Sequence, residues 1–445
     1  MFSAPRFVAI DDKTAHLSAI QKTLETLGSP CLPILYDAAT AFDASHFRGV
    51  RALFIDLHLL EGVKASDDKR HYAQMASILE DNISESGGPF VLIVWTEHPQ
   101  HQKDLVDYLE NNLDQAKPYV RPLQVLCLAK QTFLDLATGA IKNPAALRTE
   151  VEETIKKIPQ LAALLSWESD VLTAAGSTMA ALLSLIPVAQ KTSALFPAEL
   201  DRILSLLARE AVGPDHVAED PRAAIYAALA PLHADRVINQ KVSADSALAW
   251  KQAVTLATNL QVKIKDAAEA GLLNRMLHVA STQAEEIVPT SWGAVVDFPS
   301  SAWNDEDLKE NFEFSIKDLL EGELKIKPEK VAGCFPCLIR IGAVCDHAQG
   351  KKGTIPYIFG MEITLDARSN SFKVSAAEWS SPVLTRADGS TYLLIANARL
   401  VSSMTSAGCA DFKVRYRLRE QLLMQLITHA SEYVARPGIL KMPKP

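Results

Sequence analysis

Four places along this chain set reactive side chains directly after a short apolar run. The acidic pair Asp11-Asp12 follows Phe7-Val8-Ala9-Ile10, and Asp56 follows Ala52-Leu53-Phe54-Ile55. Thr96 follows the run that ends in Trp95, and Lys130 follows the run that ends in Ala129. Carboxylates, a hydroxyl and an ammonium are therefore offered in a fixed order. Apolar runs of this length read as strands of a parallel sheet buried on both faces. In such a sheet the residues just past the strand ends line one crevice, and ligands bind there. Segments far apart in sequence are thus predicted to meet at one edge.

The order acid pair, Asp, Thr, Lys at that edge resembles the receiver domain of bacterial response regulators, over about residues 1–145. The resemblance implies a doubly wound, flavodoxin-like domain that takes a phosphoryl group from a histidine kinase. Asp56 matches the nucleophile, which must be ionised. The charge spread over a phosphoryl group in flight is stabilised by a divalent cation and a positive side chain. Asp12, helped by Asp11, would hold Mg²⁺ together with Asp56, because magnesium favours carboxylates, a carbonyl and water. In the family that carbonyl belongs to the residue two after the nucleophile, here His58. Lys130 would pair with the acyl phosphate, and Thr96 would hydrogen-bond a phosphoryl oxygen. The text from Phe54 to Gly62 also resembles the family's phosphoacceptor loop.

Several residues depart from the family's pattern. Asp56 to Thr96 and Thr96 to Lys130 are both longer than usual, with the excess in Val63–Gly88 and around Gln115–Pro122. Gln131 follows the lysine where the family has proline, Cys127 stands where an aromatic switch residue is common, and Leu60 replaces a loop proline. The constellation is kept while the signalling face is altered, which implies an atypical receiver.

A second candidate lies near the C-terminus. Cys334-Phe335-Pro336-Cys337 is a CxxC, and Cys345-Asp346-His347 follows. Three thiolates and an imidazole could make a zinc site. The geometry argues against Zn²⁺, because Cys337–Val344 reads as a strand that holds Cys337 and Cys345 about 26 Å apart. No thioredoxin-like βαβ pattern surrounds the pair for redox work. A Cys345 nucleophile with His347 or His429 as base is the alternative chemistry. On a strand Cys345 and His347 would share one face and Asp346 the other. A buried cysteine beside polar turn residues is the plainer reading. The Cys345-Asp346 text weakly resembles a strand-end motif of bacterial proteins found with signalling or defence modules, which implies a phage-defence setting.

Composition bounds the rest. A length of 445 residues suits several domains, and 48% hydrophobic content suits packed cores. The net charge of −8 and the lack of a basic block exclude the electrostatic footprint of a nucleic-acid binder. Met1–Arg6 holds no cleavable apolar segment, and irregularly spaced cysteines suit a reducing cytoplasm. Val171–Gln190 carries no charge, but its hydroxyls, Gly176 and Pro187 favour a buried central helix over a membrane span.

The expected organisation is a receiver-like domain at 1–145, a helical domain at 146–300 and an α+β domain at 301–445. Helices are predicted to cover Leu200–Ala208, Ala223–Leu232 and Ala247–Leu260. Strands are predicted at Leu338–Val344, Tyr357–Leu365, Phe372–Ala376 and Tyr392–Ala396, with turns at Ser369-Asn370 and Asp388-Gly389. Short turns favour antiparallel pairing. A last helix is expected over about Arg417–Val434. The function expected is phosphoryl acceptance on Asp56, with an output through a partner protein or phosphate buffering rather than DNA. The chemistry is the receiver's own, so enzyme status is marginal. Two rivals are an effector enzyme built on Cys345 and His347, and a pseudo-receiver adaptor. Oligomeric state is not legible in the sequence.

Overall fold

In the computed structural model, Val8, Ala9 and Ile10 are all buried, and so are Ala52 to Ile55 and Val91 to Trp95. The structure describes residues 5–436, except 27, 38, 40, 61–67, 192–193 and 369–373. Its contacts divide into two units, Met1–Ser177 with Arg236–Asn259, and Thr178–Asp235 with Leu260–Pro445.

The first unit is built on five parallel strands: β1 (Phe7–Asp11), β2 (Cys31–Leu35), β3 (Ala52–Ile55), β4 (Val91–Thr96) and β5 (Val125–Ala129). Their order is β2-β1-β3-β4-β5. Alternate side chains feed two cores, as the two-residue period of a strand requires. Val8, Ile10, Leu53, Ile55, Leu92 and Val94 face one core, with Met75 and Leu79 of α2 (Asp68–Asn82) and Leu105 and Leu109 of α3 (Gln102–Asn112). Ala9, Phe54, Ile93 and Trp95 face the other, with Leu17, Ile20 and Leu24 of α1 (Thr14–Thr26). Phe133 of the short α4 (Lys130–Phe133) and Leu147 and Val151 of α5 (Pro144–Lys156) complete that side. Each such burial contributes about 1.5–3 kcal/mol. Both faces being covered explains why the strands are almost continuously apolar. Among its described residues the β2–β3 crossing holds only a 3₁₀ turn, Ala44–Phe47, capped by the Asp43 side chain.

Helices follow: α6 (Pro159–Ser184), α7 (Phe196–Val212), α8 (Pro214–Glu219), α9 (Pro221–Asn239), α10 (Ala244–Ala253) and α11 (Ala267–His278). Their starts follow capping chemistry. The Asp220 carboxylate accepts from Ala223 N, Ser243 Oγ from Ser246 N, and Asp266 from Glu269 N. α10 ends at Ala253, short of the helix expected to reach Leu260. The uncharged stretch at 171–190 is not a buried helix: Leu172, Met179 and Leu183 of α6 are exposed. No helix among the described residues is long and apolar enough to cross a membrane.

The second unit carries an eight-stranded antiparallel half-barrel: β6 (Val279–Ser281), β7 (Ala294–Asp297), β8 (Phe335–Arg340), β9 (Ile355–Thr364), β10 (Glu378–Ser380), β11 (Leu384–Thr385), β12 (Thr391–Met404) and β13 (Val414–Leu418). One face packs on Leu422, Leu423 and Leu426 of the terminal helix. The other packs on Leu319, Leu320 and Phe312, the last from α12 (Asp305–Phe312). A third helix, α13 (Val344–Ala348), lies between β8 and β9. The terminal helix, α14, is Glu420–Val434, because Arg417 and Leu418 still belong to β13. The Asp388-Gly389 turn forms with Gly389 at φ 83°, where glycine alone is unstrained. The expected strand at 338–344 stops at Arg340, since Gly342 adopts φ 115°. The expected strand at 372–376 does not form in its described part, and pairing resumes with β10. The Ser369-Asn370 turn lies outside the described residues.

Candidate functional site

Strand register brings the first candidates together. Ile10 pairs with Ile55, so Asp11 and Asp56 leave neighbouring strands at the same level. Thr96 pairs with Ala129, which sets Lys130 one step beyond it. The Lys130 ammonium is fully buried and lies 2.7 Å from Asp11 Oδ2 and 2.7 Å from Asp56 Oδ2. Asp11 Oδ1 also accepts from Lys13 N at 2.9 Å and lies 3.6 Å from His16 Nδ1. The His58 backbone N–H donates to Asp56 Oδ1 at 3.4 Å. Thr96 is buried, and its hydroxyl accepts from His98 N at 3.1 Å.

Asp11, Asp12 and Asp56 each offer a ligand atom, and these atoms all lie within 4.8 Å of one another. The donors are hard carboxylate oxygens, the set that magnesium prefers. Asp12 Oδ1 is buried and has no hydrogen-bond partner among the described residues. A bare buried carboxylate oxygen beside two other carboxylates fits a divalent cation. The trio could therefore hold an ion such as Mg²⁺.

Electrostatics agrees with that fit. Burial pushes the Asp56 carboxyl above the ordinary range, Lys130 opposes the push, and the Asp11 charge adds to it. Burial also pushes Asp12 up, together with the hydrogen bond that its protonated form would donate to Asp11 and the charges of Asp11 and Asp56. Burial would raise Asp11 as well, but His16 and Lys130 pull harder and hold it below the ordinary range. Lys130 thus serves Asp11 and Asp56, Lys13 offsets only part of the rise at Asp12, and a further cation would relieve the remainder.

A cleft of about 180 Å³ opens over these groups, lined by Asp12, Lys13, Asp56, His58, Leu60, Glu97 and His98. That is below the roughly 300–1,000 Å³ of pockets that enclose drug-sized ligands. It suits an ion and a small anionic group better than a nucleotide. Lys13 pairs with Glu97 at 3.4 Å on its rim. The sequence reading missed Lys13, Glu97, His98 and His16. The signal was adjacency: Lys13 follows the acid pair, and Glu97-His98 follow Thr96. Of the loop that resembles a phosphoacceptor loop, Glu61 and Gly62 lie outside the described residues.

The C-terminal candidates stand differently. Cys345, Asp346 and His347 lie on α13, not at a strand end. Cys345 is exposed, not buried. On a helix, residues i and i+2 do not face each other, so Cys345 and His347 lose the common face a strand would give them. Cys345 Sγ donates to Asp346 Oδ1 at 3.8 Å, and Asp346 pairs with Lys351 at 2.6 Å. Burial lowers the His347 imidazole, helped by the positive charges of Arg340 and Arg417. Cys337 is buried in β8, where burial drives its thiol far above the ordinary range, while Cys334 precedes the strand. Compared with family models, curated proteins and solved structures, the chain matches none. The parallel sheet order with the acidic trio at its carboxyl edge is consistent with a receiver-like fold.

Proposed function

We propose that the first unit is a receiver that accepts a phosphoryl group on Asp56 and passes the change to a partner protein. The observation that carries this reading is the clasp of one buried ammonium by Asp11 and Asp56, with Asp12 beside them. In the forward step an Asp56 carboxylate oxygen bonds to phosphorus. The bond from phosphorus to the donor, a phosphohistidine of a kinase, breaks, and its electron pair returns to the imidazole. Asp11, Asp12 and Asp56 would hold Mg²⁺ with the His58 carbonyl, and the ion would neutralise charge on the transferring group. Lys130 stays against the new acyl phosphate. Thr96 exchanges its bond from His98 N for one to a phosphoryl oxygen. The acidic net charge favours an output through protein contact over DNA.

The test is Mg²⁺-dependent binding of beryllofluoride, a phosphoryl mimic, read by thermal shift on the wild type and on Asp56→Asn. Stabilisation confined to the wild type supports the acceptor. Equal shifts in both, or labelling by a kinase that survives Asp56→Asn, would sink it. A wild type that binds Mg²⁺ but never the mimic would leave an adaptor built on the same fold.

A further inference from the structure

Four imidazoles gather beside the aspartate cleft, and two of them, His58 and His98, line it. His58 follows β3, His71 lies in the first turn of α2, and His98 and His101 flank the turn between β4 and α3. The His58 ring centroid is 4.6 Å from that of His71, 4.7 Å from His98 and 6.4 Å from His101. His98 and His101 are 5.9 Å apart, and all four pairs meet edge to face. His71 is 2% exposed, and neither of its ring nitrogens has a hydrogen-bond partner among the described residues. A buried imidazole left wholly unsatisfied is costly, and a leucine in its place would avoid the cost. An imidazole held this way among three others is poised for something that all four can bind.

We propose that His58, His71, His98 and His101 form a binding site for a divalent transition ion of the zinc class, separate from the aspartate trio. The donors decide the ion. Imidazole nitrogen suits zinc, copper or nickel, whereas three carboxylates suit magnesium. Zinc–nitrogen distances of about 2.0–2.1 Å in a tetrahedron set ring centroids roughly 5 Å apart. The four measured separations bracket that spacing. Loading requires the rings to turn inward, because among the described residues only the three aspartates already bring their ligand atoms within 4.8 Å of one another. The Gln100 side-chain amide lies 3.5 Å from His98 Nδ1, and turning that amide so that its oxygen accepts from Nδ1–H would leave His98 Nε2 for the ion. The site does not rest on the phosphoryl reading. It shares a wall with that cleft, since His58 and His98 line both.

The full chain is titrated with ZnCl₂ by calorimetry in excess MgCl₂. One equivalent should bind, about tenfold or more weakly in His98→Ala and in His101→Ala, and unchanged in Asp12→Asn. Co²⁺ added to the wild type should give the intense visible bands of a tetrahedral nitrogen site. Far-UV circular dichroism checks that the variants fold, and the cobalt spectrum needs no variant. Zinc binding that survives the His98→Ala/His101→Ala double substitution, or that disappears in Asp12→Asn, assigns the ion to carboxylates and overturns the proposal. So does a wild type that binds no zinc or gives no tetrahedral cobalt bands. Beryllofluoride binding is scored separately, so either reading can fail without the other.

Discussion

The Lys130 ammonium is fully buried between two carboxylates, so its removal leaves Asp11 and Asp56 facing each other with no cation. Breaking a buried pair in this way typically costs about 3–5 kcal/mol. Lys130→Met should therefore lower stability by about 3 kcal/mol in urea unfolding without Mg²⁺, and added Mg²⁺ should restore part of it. The acids also set a pH dependence. Asp12 and Asp56 have raised carboxyls, so their contribution is fully present below the unfolded value near 3.9 and is lost as pH rises through their folded values. Asp11 is lowered and has the opposite sign: its contribution is present above the unfolded value and is lost as pH falls through its folded value. Mg²⁺ competes with protons for Asp12 and Asp56. The melting temperature should therefore rise more with Mg²⁺ near pH 7.5 than near pH 4.5. An equal shift at both would mean that the ion binds elsewhere.

Elements convert those residues into a site, and their joints are tight. Gly139 has φ 71°, and a Cβ there would come within 2.3 Å of Ala15 Cβ on α1. The loop after α4 therefore rests directly on the helix that follows Asp11-Asp12. Gly139→Ala should cost about 1–3 kcal/mol, because strain and clash add. Thermal unfolding checks this, and a neutral result would mean that α1 can shift. The strands that carry Asp11, Asp56 and Thr96 were legible because both of their faces are buried, and β5, only half-buried on one face, because it too is apolar and ends in a reactive residue. The C-terminal site was not legible. Gly342, at φ 115°, breaks the apolar run after Arg340, and the chain turns into α13. The histidine cluster escaped for another reason. His58 meets His71, His98 and His101 only once the edge of the sheet is assembled, and sequence spacing carries no trace of that.

At the scale of the whole molecule, the first unit is discontinuous: residues 236–259 belong with residues 1–177, and the chain between them belongs to the other unit. A ligand that stabilises a folded unit slows the opening of whatever unfolds with it. A change at Asp56 should therefore be felt in 236–259 before it is felt in the half-barrel, whose β9 and β12 sit between two cores of their own. Hydrogen exchange of the full chain, with and without Mg²⁺ and beryllofluoride, reads this directly. Slower exchange is expected in β1, β3, β5 and α10, with β9 and β12 unchanged. Protection that stops at residue 177 would make 236–259 a passive attachment. Protection that spreads into β9 and β12 would show one cooperative molecule and would make the half-barrel a candidate for the output.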